Sequence, residues 1–212
     1  MQTYILACSS IYHILLSFYF SFKFKQNCKK NNFKNNILVN HLILVIINSI
    51  VSITKMIMIF YYDKLIYINP YTDYRIYIMN YIEWLFTLPL CIVLLMNNMF
   101  IYYNIYEYCF NIFFMLLMFL FGILAGLANT LFLYYVCFII SFLGMIIIIY
   151  FEMMSYFNIV KDNKKKIVFY TIMLFCVLYG LAYIFYGKYD YIYYIFLFLD
   201  IITKTFIAIM LN

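Results

Sequence analysis

The chain has 212 residues, 69% of them hydrophobic and only 10% charged, with a mean hydropathy of +0.98. That composition excludes a soluble globular enzyme and places the chain among multispanning membrane proteins. Its formal net charge of +6 is concentrated in two short connections, where it orients a chain in a membrane rather than attracting nucleic acid.

Seven apolar runs are predicted as membrane-crossing helices, at roughly 3–22, 37–61, 76–97, 100–122, 129–151, 166–187 and 190–211. Runs of about 20 apolar residues cover the hydrocarbon core. Little is left between them, so residues 1–212 read as one domain of an all-α membrane protein, a seven-helix bundle. Lys23, Lys25, Lys29, Lys30 and Lys34 lie between the first two runs, and Lys161, Lys164, Lys165 and Lys166 between the fifth and sixth. With seven crossings both clusters fall on one side. The positive-inside rule makes that side cytoplasmic, with the N-terminus outside and the C-terminus inside. Met1 to Phe22 lacks a basic leading segment and reads as a retained first span. The lipid bilayer is the first partner, and the plasma membrane the expected location.

In the first two spans, polar residues recur at helical spacing: Ser9, Ser10 and His13, then Asn48, Ser49, Ser52 and Lys55. Such groups either line a polar path or hydrogen-bond neighbouring helices. Lys55 is expected near the outer end of the second span, at the level of Asn80, facing the path or snorkelling outward. The linker Asp63 to Arg75, with its Asn69-Pro70 dipeptide, reads as an outer loop.

The third span holds the only tryptophan, Trp84, and one of two prolines, Pro89. Helical spacing puts Asn80, Glu83, Thr87, Cys91 and Leu94 on one stripe. A carboxylate facing lipid is strongly disfavoured, so Glu83 should face the protein interior. Pro89 has no N–H, which leaves the Leu85 carbonyl without its helical partner. Further along, Gly122, Gly126 and Asn129 mark a tight connection between spans four and five. The six cysteines show no metal-ligand spacing and His13 and His41 are far apart, so no metal site is expected.

The seventh span carries Lys204 deep within apolar sequence, with Asp200 one turn earlier on the same face. An ionisable residue at that depth costs several kcal/mol and marks a functional site by default. The pair is open to three readings: an architectural ion pair, a snorkelling lysine, or an amine condensed with an aldehyde. In the last case the protonated imine is a fixed cation that needs carboxylate counterions.

Glu83-Trp84-Leu85-Phe86-Thr87-Leu88-Pro89-Leu90, taken with Asp200-Ile201-Ile202-Thr203-Lys204, resembles the microbial (type 1) rhodopsins, of which bacteriorhodopsin is the best-known member. The specific part of the resemblance lies in spans three and seven, with weaker support in five and six. It implies all-trans retinal bound to Lys204 as a Schiff base, with Glu83 as primary counterion and proton acceptor and Asp200 as second counterion. Trp84 resembles the aromatic plate against the polyene; Thr87 and Cys91 match positions beside it. Phe138, Ser141 and Met145 have the ring-pocket spacing in span five, and Cys176, Tyr179 and Tyr183 fall at pocket positions in span six. Gly180 stands where many members carry Pro. With so many Tyr and Phe in the chain, core packing explains each of these aromatics as readily as a ligand contact.

The departures from the family pattern bear on activity. Asn80 stands where the family usually has Arg one turn before the counterion, and Leu94 where efficient proton pumps carry an acidic donor. The resemblance therefore implies a photoreceptor that moves ions on illumination, with a light-gated ion channel favoured over an outward proton pump, and either over a non-conducting sensor. The moving ion is a proton or another small ion, and a homo-oligomer is expected. Outside this family, the competing reading is a small-solute carrier whose Lys204–Asp200 pair is structural or binds substrate.

Overall fold

The computed structural model describes residues 2–29, 35–61, 64–71, 73–99, 105–159, 163–185 and 190–210. Among them the chain forms seven α-helices and one hairpin: α1 (Gln2–Lys29), α2 (Asn35–Tyr61), β1 (Ile66–Ile68), β2 (Arg75–Tyr77), α3 (Ile78–Met99), α4 (Ile105–Gly126), α5 (Leu131–Ile159), α6 (Asn163–Phe185) and α7 (Asp190–Met210). Segments of α1, α2, α4 and α5 are long and apolar enough to cross a membrane, and α3 and α6 contain the shorter apolar stretches Ile78–Leu94 and Met173–Ala182. Lys30, Lys34 and Lys161, three of the residues expected to orient the chain, lie outside the described residues.

The chain divides into two compact units. The first contains α1, α2 and α3, with α2 packed against both others. Its core is a mixture of apolar side chains (Leu6, Leu44, Ile47, Val51, Met58) and buried polar ones. The outward faces carry Phe18, Ile53, Phe60 and Phe86 more than half exposed, an inside-out arrangement that suits lipid, where apolar exteriors cost nothing.

The second unit contains the hairpin and α4 to α7. Here the linker departs from the loop expected of it. Ile66, Tyr67 and Ile68 pair antiparallel with Tyr77, Ile76 and Arg75. The Asn69-Pro70 dipeptide supplies the turn: the Asn69 side-chain oxygen accepts from the Tyr71 N–H at 2.9 Å, and Asp73 takes a left-handed conformation at φ 54°, which Asp tolerates. Strands of three residues are too short to announce themselves by alternation, so only the turn was visible beforehand.

What holds the hairpin is the α4–α5 connection. Asn69 donates through Nδ2 to the carbonyls of Gly126 at 2.7 Å and Ala128 at 2.8 Å, satisfying the orphan carbonyls of a helix end. A Cβ at Gly126 would stand 2.7 Å from Ile76 Cδ1, so a larger residue there would require the Ile76 side chain to shift. Thr130 then caps α5, accepting the Leu133 N–H at 3.2 Å. The connection is as tight as expected, but Gly122 lies inside α4 rather than in the turn. On the other side, Tyr77 of β2 stacks on Tyr193 of α7 with ring centroids 4.3 Å apart.

Candidate functional site

Among the described residues each unit buries one lysine against one carboxylate. In α7 the apolar stripe Tyr193, Phe196 and Leu197 runs into Asp200 and Lys204, all buried. Helical periodicity places them on one face. Lys204 Nζ lies 2.8 Å from Asp200 Oδ1 and 2.9 Å from Oδ2, so the ammonium is held by both carboxylate oxygens. From α6, the Tyr179 hydroxyl donates to Asp200 Oδ1 at 3.3 Å, and its ring stands edge-on to Phe196. Next to it, Gly180 makes room for Met145 of α5, whose sulfur lies 2.8 Å from where a Cβ would be built. The structure thus brings Tyr179, Asp200 and Lys204 together and sets Met145 against the residue beside them. Lys204 does not snorkel.

The other span-five candidates point to helix packing. Ser141 donates its hydroxyl to the Met118 carbonyl of α4 at 2.8 Å. Phe138 stacks between Tyr134 and Phe142 in a ladder along α5. The side chains of Cys176 and Tyr183 lie outside the described residues.

In α3, the predicted stripe is buried along its whole length: Asn80, Glu83, Thr87, Cys91 and Leu94. Their neighbours Ile82, Leu85 and Phe86 face outward, which is what a half-turn offset on a helix requires. Trp84 is partly buried, with Tyr81 edge-on at 5.7 Å. The Thr87 hydroxyl, one turn from Glu83, is fully buried and makes no hydrogen bond among the described residues.

Lys55 is what sequence reasoning left unresolved. It does not reach outward: it is 2% exposed, with Nζ 2.8 Å from Glu83 Oε2 and 3.1 Å from Asn80 Oδ1. The same Glu83 oxygen accepts from Thr54 Oγ1 at 3.1 Å. A cation supplied by α2 therefore meets the acid of α3, while Asn80 serves as its neutral second acceptor. The only advance signal was the shared level of Lys55 and Asn80; Thr54 had none.

From this cluster a line of polar contacts runs along the α1–α2 seam. Ser10 bonds the Ser52 carbonyl at 3.2 Å, and His13 Nδ1 meets Asn48 Oδ1 at 2.8 Å. Ser17 and Ser49 share a hydrogen bond at 3.0 Å, and Asn27 reaches His41 at 3.4 Å. From His41 to Lys55 the helical rise covers about 20 Å. Of the polar residues picked from sequence, Ser10 faces Ser52 and His13 faces Asn48, whereas Ser49 meets Ser17 and the buried Ser9 hydroxyl makes no hydrogen bond among the described residues; Ser17, Asn27 and His41 extend the line.

Seven helices, most of them apolar, with a buried lysine in the last one, describe an integral membrane helix bundle in which that amine is available to a carbonyl cofactor. The match that names it covers residues 1–212 and is described as bacteriorhodopsin-like protein; the chain belongs to that family of microbial rhodopsins. Similar solved structures include a thermophilic rhodopsin from Rubrobacter xylanophilus, with a TM-score of 0.82 at 19% identity, covering 100% of this chain and 94% of the other. The proton-pumping rhodopsin from the marine alga Acetabularia acetabulum gives a TM-score of 0.84 at 16% identity, with coverage of 99% and 92%. Cyanorhodopsin from Calothrix gives 0.79 at 16% identity, with coverage of 100% and 95%. No curated protein sequence matches the chain.

The family binds retinal through a Schiff base to a lysine, and retinal is the cofactor of this chain. The second unit fits it. A protonated imine on the Lys204 nitrogen would find Asp200 already 2.8 Å away, with Tyr179 bonded to the same carboxylate.

Proposed function

We propose that the chain is a retinal photoreceptor that moves ions on illumination as a light-gated channel, with Lys204 as the attachment lysine. Bound retinal supplies the visible absorption and a positive charge at that nitrogen. Asp200 neutralises the charge from within α7 and Tyr179 orients the carboxylate. By family position Glu83 is the primary counterion, Trp84, Thr87 and Cys91 flank the polyene, and Phe138, Ser141, Met145, Cys176 and Tyr183 belong to the ring end. The whole chain acts as one domain, N-terminus outside, and assembles as a homo-oligomer.

The observation that carries the channel reading is the polar line from Asn27–His41 to Lys55–Glu83. Its length, about 20 Å of helical rise, is most of the ~30 Å hydrocarbon thickness. An outward proton pump needs a donor on the far side of the acceptor. The family's donor position is Leu94, fully buried and unable to carry a proton, so a pump would have to draw protons from bulk water.

Voltage-clamped photocurrents from cells supplied with all-trans retinal test this directly. A channel gives currents whose reversal follows an ion gradient; one-directional current at zero gradient would make the protein a pump. Normal colour with no current would make it a sensor. Lys204→Ala should abolish the visible band and Glu83→Gln should shift it to the red, because a weaker counterion narrows the excitation gap. A protein that stays colourless with retinal ends the photochemical reading altogether.

A further inference from the structure

With Asn80 one turn before it, Glu83 is the one charged residue of α3. The cation that meets this acid comes from the neighbouring helix. Lys55 of α2 is 2% exposed and places Nζ 2.8 Å from Glu83 Oε2 and 3.1 Å from Asn80 Oδ1. Asn80 and Glu83 are three residues apart on one helical face, so a single ammonium reaches both acceptors. The amide oxygen at residue 80 accepts from that ammonium, whereas a second cation in its place would repel it. Residues 55, 80 and 83 are thus chemically matched across two helices.

Charge balance gives the match a purpose. The described residues bury two acids, Glu83 and Asp200, and two lysines, Lys55 and Lys204. Retinal held through a protonated imine keeps the positive charge at Lys204, so the four charges still sum to zero. Without Lys55 the set carries one net negative charge in a medium of low dielectric, which is strongly disfavoured. The pairing also changes what Glu83 presents to its surroundings. A carboxylate with an ammonium at 2.8 Å acts on a third charge as a dipole, whose field is weaker than that of a lone ion.

We infer that Lys55 sets the strength of the Glu83 counterion: with Asn80 it positions the carboxylate and cancels part of its field, so the colour of bound retinal is tuned from α2. Lys55 acts through Glu83 and is a positioning residue. The inference rests on the reading of Glu83 as counterion and is independent of whether the protein is a channel, a pump or a sensor.

The test is the dark visible spectrum of retinal-supplemented protein. The parent is compared with Lys55→Met, Lys55→Arg, Glu83→Gln and the Lys55→Met, Glu83→Gln double variant at about pH 9.5, above the values documented for buried glutamates. Lys55→Met leaves the carboxylate with its whole charge and should move the band to the blue, opposite in sign to Glu83→Gln. Lys55→Arg keeps the cation and should hold the band nearer the parent's than Lys55→Met does. The double variant loses one charge of each sign, so its band should fall between those of the two single variants. A merely structural ion pair would change the unfolding midpoint and leave the band in place. Should Lys55→Met fail to fold, the double variant decides, since it strands no charge: its band must lie to the blue of Glu83→Gln. A band that moves with Glu83 but ignores residue 55, or that moves to the red in Lys55→Met, overturns the inference and leaves the counterion reading intact. A colourless parent, or a band indifferent to Glu83→Gln, overturns both.

Discussion

Replacing Lys55 by methionine isolates the contribution of the first unit's ion pair. The side chain keeps most of its length, so the chief loss is the ammonium 2.8 Å from Glu83 Oε2. Two unit charges at that distance attract by about 6 kcal/mol at an effective dielectric of 20. Desolvating both ions offsets most of this, so the pair adds little relative to an apolar pair of the same shape. Removing one partner is different. Glu83 is 0% exposed, and in the retinal-free protein its charge would lose the Lys55 cation while staying buried, which costs about 3–5 kcal/mol. Lys55→Met should therefore destabilise strongly, and adding Glu83→Gln should recover about 2–3 kcal/mol of the loss, since the second change removes the stranded charge. The assay is equilibrium unfolding in mixed micelles of mild detergent and dodecyl sulfate, followed by circular dichroism for the parent, both single variants and the double. If the two changes add to within about 0.5 kcal/mol, Lys55 and Glu83 do not share an electrostatic bond and the account of α2 against α3 is wrong.

Three further outcomes follow from the second unit. Asn69→Leu should cost about 1–3 kcal/mol, because the carbonyls of Gly126 and Ala128 lose their buried donor; Asn69→Asp, which cannot donate, should be no better in the same unfolding assay. Gly180→Ala should cost less than about 1 kcal/mol in the same assay, because the atoms it meets are the flexible end of Met145, which can swing aside; a larger loss would mean that the Met145 side chain is held in place. Tyr179→Phe removes one hydrogen bond to Asp200 and should cost about 1 kcal/mol while shifting the visible band by a few nanometres; an unchanged band would mean that Tyr179 does not act on the counterion.

Some of this protein is written in local order along the chain. Composition alone forces a membrane protein, because such a run of apolar residues has no soluble way to bury itself. Spacing of three and four residues on a helix fixed the α3 stripe, where Asn80, Glu83, Thr87, Cys91 and Leu94 all turn inward. The same spacing set Asp200 beside Lys204. These are contacts within one helix, whose geometry is the same wherever the helix lies.

The tertiary structure decided everything that depends on a partner from another element. Lys55 had two open fates, and only the approach of α3 to α2 turned it inward onto Glu83 and Asn80. Asn69 was legible as a turn residue, but its duty to the α4–α5 connection is set by carbonyls some 57 residues away. Tyr179 of α6 meets Asp200 of α7, and Met145 of α5 meets Gly180 of α6, only because those helices pack together, and a chain so rich in Tyr and Phe gives no local sign of which rings meet a partner. Periodicity tells which face of a helix turns inward; the identity of what it meets there depends on how the helices pack.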